Sequence, residues 1–89
     1  MQAERSERCE KRYPMTGLVY TYYLVYSADG YPYIVAEAED KNGKRCEKSG
    51  CFPADGRLAN AFLSLLAACE VSPYSLVEVY DEFLTLNPI

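Results

Sequence analysis

The chain has 89 residues, 49% of them hydrophobic and 25% charged, and its 13 acidic against 9 basic side chains give a net charge of −4. That length fits one domain with a modest core, and the acidic balance argues against direct binding of nucleic acid, which needs a basic stripe. Histidine is absent, so the commonest general base near neutral pH is missing and Ser-His-Asp and Cys-His arrangements are excluded.

Residues 1–12 carry Arg5, Arg8, Lys11 and Arg12 against Glu4, Glu7 and Glu10, and no large apolar residue precedes Tyr13 apart from Met1. This composition predicts a flexible charged tail over residues 1–13 and a single α+β domain over residues 14–89. No internal repeat and no linker divides the chain. Residues 18–27 are rich in β-branched and aromatic types and predict a strand; residues 31–39 predict a second, with Pro32 near its start, and residues 44–49 a weaker third. The connections Ala28-Asp29-Gly30 and Lys41-Asn42-Gly43 both resemble three-residue hairpin loops with glycine in the left-handed position.

That loop length places Ser27 opposite Tyr31, Leu24 opposite Ile34, Tyr22 opposite Ala36, and Tyr20 opposite Ala38. In the second hairpin it places Ala38 opposite Cys46. Large rings facing alanines fill space sensibly, which favours this register. Leu18, Tyr20, Tyr22, Leu24, Tyr26, Ile34, Ala36 and Ala38 then point to the core, whereas Val19, Tyr23, Val25, Tyr33, Val35 and Glu37 point away.

Asp55 is the expected N-cap of a helix over residues 56–69, with Leu58, Phe62, Leu65, Leu66 and Cys69 at helical spacing. Ser72 and Pro73 then open a second helix over residues 73–85, whose buried stripe is Leu76, Val79, Tyr80 and Phe83. The expected fold is a three-stranded antiparallel meander with both helices packed on one face. Two helices cover only one face of such a sheet, so the other stays open.

The run Val71-Ser72-Pro73-Tyr74-Ser75-Leu76-Val77-Glu78-Val79-Tyr80-Asp81-Glu82-Phe83-Leu84, preceded by Leu58 and Leu65-Leu66, resembles a family of small proteins from Gram-positive anaerobic bacteria known only as a domain of unknown function. Its members look like a short β-meander, a helix, a Val-Ser-Pro joint and a second helix ending in an acidic pair before Phe-Leu. The likeness covers residues 18–85, and its specific part is residues 71–84. It implies this fold and a bacterial setting, and it carries no activity, cofactor or catalytic residue.

No apolar run approaches the length of a membrane span, and the charged start does not read as a secretory signal. Cys9, Cys46, Cys51 and Cys69 lack the spacing of a disulfide scaffold or a zinc ribbon. They read as reduced cytoplasmic thiols, with Cys46 and Cys69 as small core residues and Cys9 as the exposed one. No metal, cofactor or membrane partner is expected, and the chain does not read as an enzyme.

Two surfaces remain as candidate sites. Six of the nine tyrosines fall between Tyr20 and Tyr33, and Tyr23, Val25, Tyr33 and Val35 would form an aromatic and β-branched patch on the open sheet face. Such patches mark interaction surfaces. The bland alternative is a cross-strand cluster that stiffens a small sheet. The free edge of the strand over residues 18–27 could also pair with a second copy, whereas Lys44, Arg45 and Lys48 guard the third strand. The second surface is the acidic cluster of Glu78, Asp81 and Glu82, joined by Glu70. It suits a basic partner or a mimic of nucleic acid, although acids that merely keep a domain soluble look the same. Acids near a helix C-terminus oppose its dipole, a small cost that hints at a use. The chain therefore reads as a non-enzymatic, regulatory protein-interaction module acting through its tyrosine-rich face. The alternative is a small acidic phage-type inhibitor that acts on a nucleic-acid-handling enzyme through its last helix.

Overall fold

The computed structural model describes residues 5–14 and 17–88, without the Arg5 side chain. It is an α+β fold. Four strands, β1 (Arg5–Arg12), β2 (Val19–Tyr26), β3 (Pro32–Asp40) and β4 (Gly43–Lys48), form one sheet in chain order, every neighbour antiparallel. Helices α1 (Arg57–Ala68) and α2 (Leu76–Leu86) follow, the second entered through a 3-10 turn at Pro73–Ser75. Helix α1 packs over β1, β2 and β3, while the 3-10 turn and α2 pack over β3 and β4. The Cα extents of 36 × 35 × 16 Å leave room for one sheet and one layer of helices.

The β2–β3 hairpin has the expected register: Tyr20 opposes Ala38, Tyr22 opposes Ala36 and Leu24 opposes Ile34. The loop closes at Ser27 and Tyr31, whose N–H and C=O bond at 3.1 Å. All six of these core-pointing residues are buried, with Leu18 and Tyr26 at the margin. They meet Phe52, Ala59, Phe62, Leu63, Leu66, Ala67 and Leu76 from the helical layer. Phe52 and Phe62 stack with Tyr80 and Phe83 at centroid distances of 5.0–6.2 Å, mostly edge-on or tilted. The expected α2 stripe of Leu76, Val79, Tyr80 and Phe83 is the one that packs inward.

Several expectations are corrected. The sheet has four strands rather than three, because the segment expected as a tail contributes β1, which occupies the edge of the 18–27 strand expected to be free for a second copy; residues 1–4 lie outside the described residues. The strand carries no apolar alternation to announce it. Arg8, Glu10 and Arg12 sit opposite Leu24, Tyr22 and Tyr20 and reach toward α1 instead of water. The Arg8 guanidinium donates to the Asn60 side-chain oxygen at 3.1 Å and to Ser64 Oγ at 3.1 Å. Arg12 Nε donates to the Ala67 carbonyl at 3.0 Å, in the last turn of α1, where a cation complements the helix dipole. Glu10 lies between them, 3.4 Å from Arg8 and 3.2 Å from Arg12. A bulge between Ser6 and Arg8 breaks the register at Glu7.

The second hairpin is shorter by one residue than expected. Asp40 pairs with Gly43, leaving a two-residue turn at Lys41-Asn42, and the Asp40 carboxylate accepts the Asn42 N–H at 2.8 Å. Ala38 therefore faces Arg45, and Cys46 moves opposite Glu37 onto the outer face. A one-residue shift inverts every side chain of a strand. Cys46 is accordingly not a core residue, and neither is Cys69, which caps the C-terminus of α1: all four cysteines are exposed. Lastly, the N-cap of α1 is Gly56, at φ 80°, while the Asp55 carboxylate accepts the Arg57 N–H from one position earlier at 3.0 Å. Ser72 Oγ accepts the Tyr74 N–H at 3.3 Å, but the turn it caps is 3-10, and α2 begins at Leu76.

Gly56 has two reasons to be glycine. Its φ is left-handed, and a Cβ there would lie 2.5 Å from the Tyr26 hydroxyl. Gly30 has φ 88° but open space around it. Gly30→Ala should cost about 1 kcal/mol, and Gly56→Ala at least about twice that, from strain and collision together; urea unfolding of the two variants measures the difference. Tyr22 gives a pH dependence. Its ring is buried and its hydroxyl donates to the Val71 carbonyl at 2.7 Å. Burial, then the neighbouring Tyr20 and Glu70, push its ionisation well above the ordinary tyrosine value, with Arg12 opposing. The unfolded chain loses this proton near the ordinary value of about 10 while the folded chain keeps it. The contribution is thus whole below that pH and is lost as pH rises toward the folded value. Urea unfolding between neutral and strongly alkaline pH should show stability falling, and Tyr22→Phe should flatten the decline.

Candidate functional site

The outer sheet face is built by the strands' alternate residues, which the pairings place in rows. One row runs Lys11, Thr21, Glu37, Cys46; the next runs Cys9, Tyr23, Val35, Lys48; Val25 and Tyr33 form a third. No described helix covers this face, since α1 and α2 both lie on the other. The four expected site residues are therefore brought together: Tyr23 opposes Val35 and Val25 opposes Tyr33. They are less exposed than the sequence suggests. Tyr23, Val25 and Val35 are half-buried, and Tyr33 is only 6% exposed, with the Lys48 ammonium 5.8 Å from its ring centroid. The patch is a tight cluster whose upper surface is partly available.

Beside it lies a polar group made of three strands. Glu37, from β3, accepts from the Tyr23 hydroxyl at 3.4 Å on one oxygen and from the Cys46 thiol at 3.5 Å on the other, with Lys44 3.8 Å away. Partial loss of hydration, then the Glu37 carboxylate, raises the ionisation of both Tyr23 and Cys46 above their ordinary values. A thiol held protonated in this way is a poor nucleophile.

The acidic candidates Glu78, Asp81 and Glu82 are also brought together, all exposed at i, i+3, i+4 spacing along α2, which contains no basic residue. Glu78 lies in the first turn and the other two in the middle of the helix, so the expected conflict with the dipole at the C-terminal end is absent. Glu70 stands apart, in left-handed conformation at φ 48° beyond α1.

Sequence reasoning missed several exposed large side chains. Tyr74 is 59% exposed on the 3-10 turn, Leu86 is 80% exposed at the end of α2, and Val77 and Leu65 are exposed on the helices. Tyr74 stacks under the Arg45 guanidinium at 5.3 Å and closes an open cleft of about 250 Å³ with Leu18, Ala38, Asp40 and Lys44. The two-residue turn creates that cleft by turning Arg45 inward, so only the corrected register could have revealed it. Among the described residues no three cysteine, aspartate or glutamate side chains converge as metal ligands, and no helix is long and apolar enough to cross a membrane.

Compared with protein-family models, with curated proteins and with solved structures, the chain matches none. Its function has to be argued from the geometry.

The Glu37 network gives a direct check. Replacing Glu37 by Gln removes the charge that holds Cys46 and Tyr23 protonated, so both should ionise at lower pH. In a chain whose other three cysteines are serine, Glu37→Gln should speed alkylation of Cys46 by iodoacetamide several-fold at mildly alkaline pH. An unchanged rate would contradict the coupling.

Proposed function

We propose that the chain is a non-enzymatic protein-interaction module, regulatory in role, that binds a protein partner through the outer face of its sheet. One observation supports this above the rest: both helices pack on the same side, so Tyr23, Val25, Tyr33 and Val35 form an apolar cluster on a face no described element covers. A flat β-surface with one partly available aromatic ring, Tyr23, beside two half-buried valines suits a partner that brings its own apolar side chains. The Glu37, Lys44 and Lys48 charges at its margin would fix orientation more than affinity. The likeness of residues 71–84 to small proteins of Gram-positive anaerobes favours a bacterial, cytoplasmic setting.

A second reading rests on α2. Glu78, Asp81 and Glu82 make a continuous acidic ridge without an intervening cation. Such a ridge suits an acidic inhibitor that occupies the basic groove of a nucleic-acid-handling enzyme.

Capture of proteins from an extract of the source cells by the immobilised chain separates the two. Val25→Lys with Val35→Lys should remove the captured partner under the first reading, by at least about tenfold, because each lysine leaves a charge to be desolvated at the interface. Glu78→Lys with Asp81→Lys should leave that capture unchanged. The reverse pattern, with binding that weakens steeply in salt, would establish the acidic ridge instead. Capture indifferent to both pairs would refute both.

A further inference from the structure

The tetrapeptide Arg-Cys-Glu-Lys occurs twice, at residues 8–11 and 45–48. The fold puts the two copies on β1 and β4, the two edges of the sheet. In both, arginine and glutamate lie on the helix side, and cysteine and lysine on the outer side. Each edge strand has a neighbour on one side only, so half of its N–H and C=O groups face outward.

We propose that the β1 edge pairs antiparallel with the β1 edge of a second copy, with Cys9 on the twofold axis, to give a continuous eight-stranded sheet. Opposed residues of an antiparallel pair share a face, so registers of one strand against its copy change in steps of two. With Cys9 against Cys9, Arg8 stands opposite Glu10 of the second copy, and Glu10 opposite its Arg8. A step of two one way sets Arg8 against Arg12 and Glu10 against Glu10. A step the other way sets Arg8 against Arg8. A further step leaves only Glu10 to Arg12 overlapping, with Lys11 against itself. Over Arg8–Arg12, the Cys9-centred register, which overlaps Arg8 to Glu10, is thus the one that matches opposite charges and opposes no like ones. Like charges directly opposed are destabilising, and unlike ones stabilise.

The side chains are set for this pairing. Glu10 already accepts from Arg8 and Arg12 of its own chain, and a carboxylate has acceptor sites for a further guanidinium. Cys9 is exposed on the outer face. The bulge at Glu7 limits the ladder, and Glu7 itself is the residue that comes beside Lys11 of the other copy. The β4 edge carries the same core of four but fails at the next position: with Cys46 against Cys46, Lys44 opposes Lys48. That is the usual guard against edge pairing, and it leaves β1 as the associating edge. A pairing of β1 with β4 of the next copy would set Lys11 against Lys44, and would propagate without closing, whereas the β1 pair closes on its own axis.

The test uses the full chain, reduced, in sedimentation equilibrium over a range of concentrations. A reversible monomer–dimer equilibrium is expected. Arg8→Glu and Glu10→Arg should each weaken it about tenfold, since each creates two like-charge oppositions per dimer, and the double variant should restore it. Circular dichroism checks that each variant is folded. A measurement with the native charges stands beside these. With Cys46, Cys51 and Cys69 replaced by serine, diamide, which takes up the two thiol hydrogens, should link Cys9 to Cys9 as a disulfide dimer. A chain retaining Cys46 as its only cysteine should form no disulfide-linked dimer under the same oxidant. A chain that stays monomeric by sedimentation into the millimolar range would overturn the proposal. So would a dimer indifferent to both charge reversals, or one that links through Cys46 and not Cys9.

Discussion

The structure depends on burying the inner face of the β2–β3 hairpin. Tyr20, Tyr22, Leu24, Ile34, Ala36 and Ala38 line it, and a two-stranded hairpin cannot hold such a face dry by itself. The helical layer supplies the opposing surface, and the Phe52, Phe62, Tyr80 and Phe83 rings fill the space where its segments converge. Large rings placed opposite alanines let the tyrosines lie inward without crowding the ladder. The polar ends of these rings are spent at the layer's rim: Tyr22 reaches the Val71 carbonyl and Tyr80 the Cys51 carbonyl. With all the described helical surface committed to one side, the second side of the sheet follows as an open face.

Much of this was legible in the sequence, for reasons that are physical. The first hairpin could be registered because steric volume alternates along both of its strands and Gly30 fixes its loop. The α2 stripe could be read because Leu76, Val79, Tyr80 and Phe83 repeat at helical spacing. The β1 strand was illegible because its inward positions are Arg8, Glu10 and Arg12, which satisfy themselves on α1 through guanidinium bonds that no hydropathy pattern records. The β4 register was illegible because Lys41-Asn42-Gly43 serves equally well as a two- or a three-residue connection; in the structure the Asp40 carboxylate caps the two-residue turn. The turn length decides whether Cys46 faces the helices or the outer side.

The candidate site was legible as a position and not as a surface. Tyr23, Val25, Tyr33 and Val35 are neighbours, as alternation requires. How far they protrude depends on what flanks them: Glu37 stands on the face where alternation puts it, but Lys48 comes from a strand pairing that only the structure fixes. The cleft under Tyr74 is a clearer case. It combines residues from β3, β4 and the 3-10 turn, and nothing in the local sequence of any one of them announces it. The doubled Arg-Cys-Glu-Lys is too short to register as a repeat until the topology places both copies on edges.

The anchoring of β1 has a bearing on biosynthesis. Its strand partner β2 follows directly in the chain, but its side-chain anchors Asn60, Ser64 and Ala67 lie 52 to 56 residues downstream. β1 therefore leaves the ribosome before the other described strands, yet is among the last of them to be secured. Until α1 has emerged and docked, β1 contributes no apolar surface to hold it, and contacts of such sequence separation are closed late because the intervening loop must be ordered first. A nascent chain would expose the β2 edge during that interval. The alternating charges of residues 4–12 keep their own segment soluble while it waits.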